Sequence, residues 1–222
     1  MSFDHASGLY QIFKVQRAVF SCFPDKDMTV DMAPDYSQKR RRKNYNEPGH
    51  AHELTFSCYQ NYPFLSKKRT CQWLVDAITD ARKKMGFDVW AWVFMPDHVH
   101  LIVHPRREIY DISIIRKQIK EPVAQNAIKW MKGNSPEWLK KIERTRGNRK
   151  EYLFWQSGGG YDRNIIDSKT LAFMMEYIHL NPVRKKLVEH SQDWKWSSAA
   201  WFYDQTDVPL IPDEIPPEWL ME

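Results

Sequence analysis

Two consecutive apolar runs constrain this chain more than any other feature. Asp88–Met95 (DVWAWVFM) and His98–His104 (HVHLIVH) are separated only by Pro96-Asp97. Each run has strand length and is rich in β-branched and aromatic residues, and the Pro-Asp pair between them is a turn signal. The pattern predicts an antiparallel hairpin. Because both runs are apolar nearly throughout, the hairpin belongs at the centre of a sheet.

The flanking segments supply partners for it. His52–Tyr59 has strand composition and near-alternation. Ser66 is a candidate N-cap for a helix carrying Trp73, Leu74, Ala77, Ile78 and Ala81 at helical spacing, which Gly86 ends. A second helical stretch covers about Ile112 to Met131, with Pro122 as an expected break or kink. Tyr152–Gln156 reads as a short strand and Gly158-Gly159-Gly160 as a flexible joint. Ser168 is placed as the cap of a third helix, Lys169 to about Leu180, which Asn181-Pro182 stops. The order strand, helix, strand, strand, helix, strand, helix predicts an α+β fold: an antiparallel sheet backed by helices on one face. The other face would be open, where single-stranded nucleic acid often lies.

Length and composition set the boundaries. With 222 residues, 42% hydrophobic and 14% aromatic, the chain can bury a real core. Residues 1–48 lack clear periodicity and end in a basic run, Lys39-Arg40-Arg41-Arg42-Lys43, before Pro48-Gly49; they read as an N-terminal extension. The main domain is expected over residues 49–203, and residues 204–222 form a Pro-rich tail. A net charge of +5 and a pI near 9.0 favour a polyanionic partner. Three cysteines without a CxxC pair fit neither a zinc ribbon nor a disulfide scaffold. There is no membrane-length apolar run and no signal-peptide pattern, so the expected location is the cytoplasm and no membrane partner is expected.

Two local patterns carry chemistry. In His98-Val99-His100 the strand period of two sends both imidazoles to one face and Val99 to the other. Paired histidines on a rigid strand make a half-site for a divalent cation with positions open for a phosphate oxygen. The plain alternative is two surface histidines. His104 shares that face but lies too far along the strand. In Glu176–Arg184 (EYIHLNPVR), Tyr177 and Asn181 are about 40° apart on a helix and point the same way, while His179 lies about 200° from Tyr177 and is not placed to be its base. A phenol can attack a phosphodiester if a metal withdraws charge and something accepts its proton. The alternative is a packed tyrosine and an asparagine C-cap.

WVFMPDHVHLIVHP, then FWQSGGGYDRN, then EYIHLNPVRKKLV and WKWSS occur in that order between about His50 and Phe202. Together they resemble the REP-associated tyrosine transposases, single-tyrosine transposases of the His-hydrophobic-His type found in bacterial insertion sequences. The resemblance implies a ferredoxin-like or RNA-recognition-type sheet. It implies Mg²⁺ or Mn²⁺ held by His98 and His100, Asn181 as a further metal ligand, and Tyr177 as nucleophile. The implied partners are single-stranded or hairpin DNA of the REP palindrome kind. The implied enzyme is a nucleoid-associated nuclease and strand transferase working through a 5′-phosphotyrosine link, as monomer or homodimer. The triple glycine, the RNIID segment and the N-terminal extension depart from the family pattern.

Arg40, Arg41 and Arg42 in the extension, and Arg144, Arg146, Arg149 and Lys150 within the basic stretch Lys140–Lys150, are candidate phosphate contacts, against the alternative of solvated charge. Arg116, Lys117 and Lys120 add positive charge on a helix. Trp155, Trp194, Trp196 and Trp201 can stack on bases or pack in the core. Three other functions compete: a replication or relaxation initiator of the same type, a regulatory nucleic-acid-binding module without catalysis, and a water-using metallohydrolase. The short chain and the Asn-Pro-Val after Tyr177 argue against the first. The joint presence of His98, His100 and Tyr177 argues against the second. The scarcity of carboxylates near the histidines argues against the third.

Overall fold

The computed structural model describes residues 45–203 and 207–220. Arg40, Arg41 and Arg42 lie outside the described residues.

Four strands form one antiparallel sheet in the order β2-β3-β1-β6: β1 (Ala51–Ser57), β2 (Phe87–Phe94), β3 (His98–Pro105) and β6 (Tyr161–Ile165). Helices α1 (Lys68–Met85) and α2 (Ile112–Asn134) are the crossovers, giving a βαββαβ arrangement of ferredoxin-like topology. The expected central hairpin is β2-β3. Its turn is tied down from both sides, since Met95 N donates to His98 O while Pro96 O and Asp97 O accept from Leu65 N and Cys58 N. A short helix α3 (Pro136–Lys141) leads into a separate two-stranded hairpin, β4 (Glu143–Arg146) and β5 (Arg149–Tyr152). After β6 come α4 (Ser168–His179), the single turn α5 (Asn181–Arg184) and α6 (Ala199–Phe202).

One face of the sheet, with Leu54, Phe56, Trp92, Val99 and Leu101, packs on α1 and α2. The opposite face is not open, as the sequence suggested. Trp90, Ala91, Val93 and Ile102 on it pack against Leu171, Met174, Met175 and Ile178 of α4 and against Ile215. A β-bulge between Val89 and Ala91 lets the consecutive residues Trp90 and Ala91 both reach this face. The described part of the C-terminal segment is bound into the fold: Val208 and Leu210 enter the first core, and Leu210 O accepts from Trp92 Nε1.

Several local expectations shift. The first helix is capped by the backbone of Lys67, with Ser66 in a preceding 3-10 turn. Asp167, not Ser168, caps α4, its carboxylate accepting from Thr170 N at 2.7 Å. Helix α2 runs through Pro122. The fourth sheet strand is Tyr161–Ile165, not Tyr152–Gln156. From the latter segment Tyr152 ends β5, and Trp155 bridges to Cys58.

A candidate active site between the sheet and the tyrosine helix

The site lies where α4 crosses the exposed end of the second sheet face. Thr55, Asp97, His98, His100, Tyr177 and Asn181 line one open cleft. The structure therefore brings together four of the residues singled out by sequence, His98 and His100 from strand β3 with Tyr177 of α4 and Asn181 of α5 some eighty positions later.

The β1-β3 register explains the surroundings of the histidines. Thr55 stands directly opposite His100, and Ser57 opposite His98. Glu53, one pleat along from Thr55, reaches the same ring. His100 Nδ1 lies 2.7 Å from Thr55 Oγ1 and 3.0 Å from Glu53 Oε1, and the Thr55 hydroxyl itself donates to Glu53. With the hydroxyl hydrogen engaged there, Nδ1 is the donor in the His100 contacts. His98 Nδ1 is 2.7 Å from Asp97 Oδ1. That hydrogen bond holds the Asp97 carboxyl below its usual range, so it is an acceptor. In both rings the oxygen partners stand at Nδ1, which leaves Nε2 as the nitrogen facing away from them. Burial pushes the His100 pKa below the ordinary histidine value, which keeps the ring neutral.

The two rings stand at 84° with centroids 5.0 Å apart. Two imidazoles bound at right angles to one ion through Nε2 have centroids roughly 4.5 Å apart, given metal–nitrogen bonds of about 2 Å. Tyr177 lies edge-on to His100, centroids 6.2 Å apart, and the Arg184 guanidinium covers the tyrosine ring at 4.9 Å. Asn181 donates through Nδ2 to Tyr177 O and Ile178 O, so it caps the end of α4 while lining the cleft. Leu180 is the C-cap residue of α4, and Asn181 begins α5 while its side chain closes off these last carbonyls. No group of three His, Cys, Asp or Glu side chains is arranged to hold a metal among the described residues. A cation at this place would meet two imidazoles and, beyond them, amide oxygen, phosphate oxygen or water as donors. Of the two expected ions, Mn²⁺ accepts imidazole nitrogen more readily, while Mg²⁺ takes mainly the oxygens.

Other candidates fall elsewhere. His179 points away from the cleft, buried against Ser198 Oγ at 2.8 Å. His104 stacks on Trp90 at the far end of β3. Arg144 pairs with Glu151 and Lys150 with Glu143 across the β4-β5 hairpin, while Arg146 and Arg149 flank its exposed tip. Arg144 also donates to Ser157 on the rim of the cleft. Trp155 and Trp194 are anchored by indole N–H bonds to Lys120 O and Phe94 O, and Trp196 and Trp201 pack on the first core, so all four serve packing. Sequence reasoning missed Glu53 and Thr55. Both sit in the strand predicted from His52, but only the register shows which histidine they face.

The family described as "Transposase IS200 like" matches residues 49–181. The chain is 24% identical over 160 residues to a protein of Haemophilus influenzae named as a REP-associated tyrosine transposase, covering 69% of this chain and 84% of that one. It is 26% identical over 127 residues to the REP-associated tyrosine transposase of Escherichia coli, covering 57% of this chain and 63% of that one. Among solved structures, a REP-associated tyrosine transposase bound to a REP hairpin shares the fold, with a TM-score of 0.58 at 20% identity over 78% of this chain and 92% of that chain. No helix among the described residues is long and apolar enough to cross a membrane. The match spans more than half the chain and takes in the paired histidines, the tyrosine and the asparagine, so this chain belongs to the IS200-like transposase family.

Proposed function

We propose that this transposase is a metal-dependent endonuclease and strand transferase for single-stranded or hairpin DNA, with Tyr177 as its nucleophile. The observation that carries the reading is the convergence of Tyr177 with two histidines whose Nε2 lone pairs are left free by the Nδ1 contacts of Asp97, Glu53 and Thr55. His98 and His100 would hold Mg²⁺ or Mn²⁺, with the Asn181 carbonyl oxygen available as a third ligand. Such an ion supplies Lewis acidity to the scissile phosphate.

The chain's own groups do the rest. Arg184 over the Tyr177 ring and the packed helix α4 hold the phenol against the histidine pair. The Tyr177 oxygen forms the new bond to phosphorus and gives up its proton. The P–O3′ bond breaks, and the departing oxygen takes a proton to become a free 3′-OH. The 5′-phosphotyrosine link keeps the energy of one phosphodiester, so a second 3′-OH can reverse the step and join strands without a further energy source. The hairpin seen with the structural relative supports the choice of a folded single strand as substrate. Arg146 and Arg149 are exposed to contact its phosphates, Arg144 and Lys150 join them if they exchange their carboxylate partners for DNA, and Arg40, Arg41 and Arg42 are proposed phosphate contacts on their charge alone.

The test is a denaturing gel of protein mixed with labelled hairpin DNA and Mn²⁺. A covalent adduct is expected with the unaltered protein and none with Tyr177→Phe, which should still shift the DNA in a native gel. Released product without adduct means a hydrolase, and a native-gel shift alone means a binding module. A surviving adduct in Tyr177→Phe sinks the assignment of the nucleophile.

A further inference from the structure

The same cleft is also lined by Lys120 of α2. Its Nζ donates to Gly158 O at 3.3 Å and lies 5.4 Å from the Phe56 ring. An ammonium has three donors, so two remain. No carboxylate lies within ion-pairing distance of it among the described residues. Its neighbour one helical turn back is another cation, the buried Arg116, whose guanidinium lies beneath Gly159. Burial and, after it, the Arg116 charge bring the Lys120 pKa down to about 8. A half-buried ammonium beside a like charge and without an anion is costly for the free protein. In a cleft that faces a candidate nucleophile, that cost is recovered when an anion enters.

We propose that Lys120 is a phosphate-positioning residue: its ammonium takes a nonbridging oxygen of a DNA phosphodiester lying in the cleft it shares with His98, His100 and Tyr177. The inference rests on the single-strand DNA reading above and deepens it. It gives the strand a second fixed point in the cleft besides the histidine pair, and two points define the direction of the backbone past Tyr177. It also gives the triple glycine a function. Gly158 and Gly159 drape directly over Lys120 and Arg116, and a Cβ at Gly159 would stand 2.5 Å from the Arg116 guanidinium. Bare backbone there leaves the Lys120 ammonium close to whatever enters.

The experiment measures binding of a labelled, mixed-sequence single-stranded oligonucleotide by Tyr177→Phe protein without divalent metal, so that cleavage plays no part. Lys120→Gln removes the charge and retains a donor for Gly158 O; Lys120→Met removes both; Lys120→Arg keeps the charge. Gln and Met variants are expected to bind about tenfold more weakly, as loss of one charge-assisted contact implies. Their salt dependence should flatten by about 0.7 in log–log slope, the value for one phosphate contact on a single strand. The Arg variant should retain most of the affinity and the full slope. A role confined to holding Gly158 would leave the slope of Lys120→Gln unchanged. Affinity and slope equal to the parent in whichever of the Gln and Met variants folds overturns the proposal. Adduct formation by protein with Tyr177 and Lys120 both intact is scored separately: its absence removes the nuclease reading, whereas its presence beside a silent Lys120→Gln removes this inference alone.

Discussion

His100 draws its character from residues that no local pattern names. The strand period was enough to put His98 and His100 on one face. The groups that fix the tautomer of His100 come from β1, more than forty positions earlier, and become visible only when Thr55 is set opposite His100 in the ladder. Glu53 is fully buried and its Oε2 has no hydrogen-bond partner among the described residues. Such a carboxylate is costly unless positive charge comes near it, and a cation on His100 Nε2 would provide that through the ring. Glu53→Gln preserves shape and removes the charge. It is expected to weaken Mn²⁺ binding roughly 10- to 100-fold by titration calorimetry, the usual effect of losing an outer-shell carboxylate, with the fold intact. Equal Mn²⁺ affinity in a folded Glu53→Gln protein would show that Glu53 does not tune the pair. Asp97 was the one supporting carboxylate the sequence did expose, because it adjoins His98 in the chain.

Elements with strong apolar periodicity were legible, and those set by an edge or by a tight approach were not. The β2-β3 hairpin and helix α4 stand where the periodicity put them. Strand β6 (YDRNI) was missed because, as an edge strand with only Ile165 fully buried, it has no alternation to read. The triple glycine read as a joint because three glycines permit motion, yet Gly160 is there for space. At φ +80° its Cα passes so close to β1 that an added Cβ would sit 2.1 Å from Thr55 O. Gly160→Ala is therefore expected to destabilise the protein by more than about 2 kcal/mol in urea denaturation, combining the strained φ with a backbone clash. A loss within about 0.5 kcal/mol would mean the segment yields freely. Within the basic stretch Lys140–Lys150, the part from Glu143 onward resolved into a hairpin in which two of its four cations are spoken for. Arg144 and Lys150 have carboxylate partners, whereas Arg146 and Arg149 flank the tip. Neutralising Arg146 and Arg149 should lower the salt slope of single-strand binding by about 0.7 for each contact made, for oligonucleotides of every sequence alike. An unchanged slope with unchanged affinity would make the tip a solvated surface, and an unchanged slope with loss of one preferred sequence would make it a reader of bases.

At the scale of the whole molecule, the sheet is a divider with a core on each side, and the tyrosine helix belongs to the second core. Sequence order alone gave the helix but not the face it covers, since a helix following the last strand can pack on either side. What decides it is the apolar stripe of Leu171, Met174, Met175 and Ile178 meeting Trp90, Ala91 and Val93, made possible by the bulge in β2. His179 fastens the end of this helix from behind: its Nε2 meets Ser198 Oγ, which in turn accepts from Trp92 N. The ring is fully buried, and burial alone brings its pKa from 6.5 down to about 3. The folded protein thus refuses a proton that the unfolded chain accepts below about pH 6.5. The sign follows directly. Above pH 6.5 the residue is neutral in both states and stability does not change. As pH falls from 6.5 toward 3, proton uptake by the unfolded chain removes stability at up to about 1.4 kcal/mol per pH unit. His179→Gln retains polar atoms for Ser198 and cannot titrate in this range. The variant should be less stable than the unaltered protein at pH 7, because an imidazole-shaped space is refilled imperfectly. The gap should narrow steadily on acidification, since carboxylate titrations common to both proteins cancel in the comparison. Urea denaturation of the two proteins at a series of pH values between 7 and 4 reads this difference. Stability curves that run parallel across that range would show that His179 does not stay neutral in the fold.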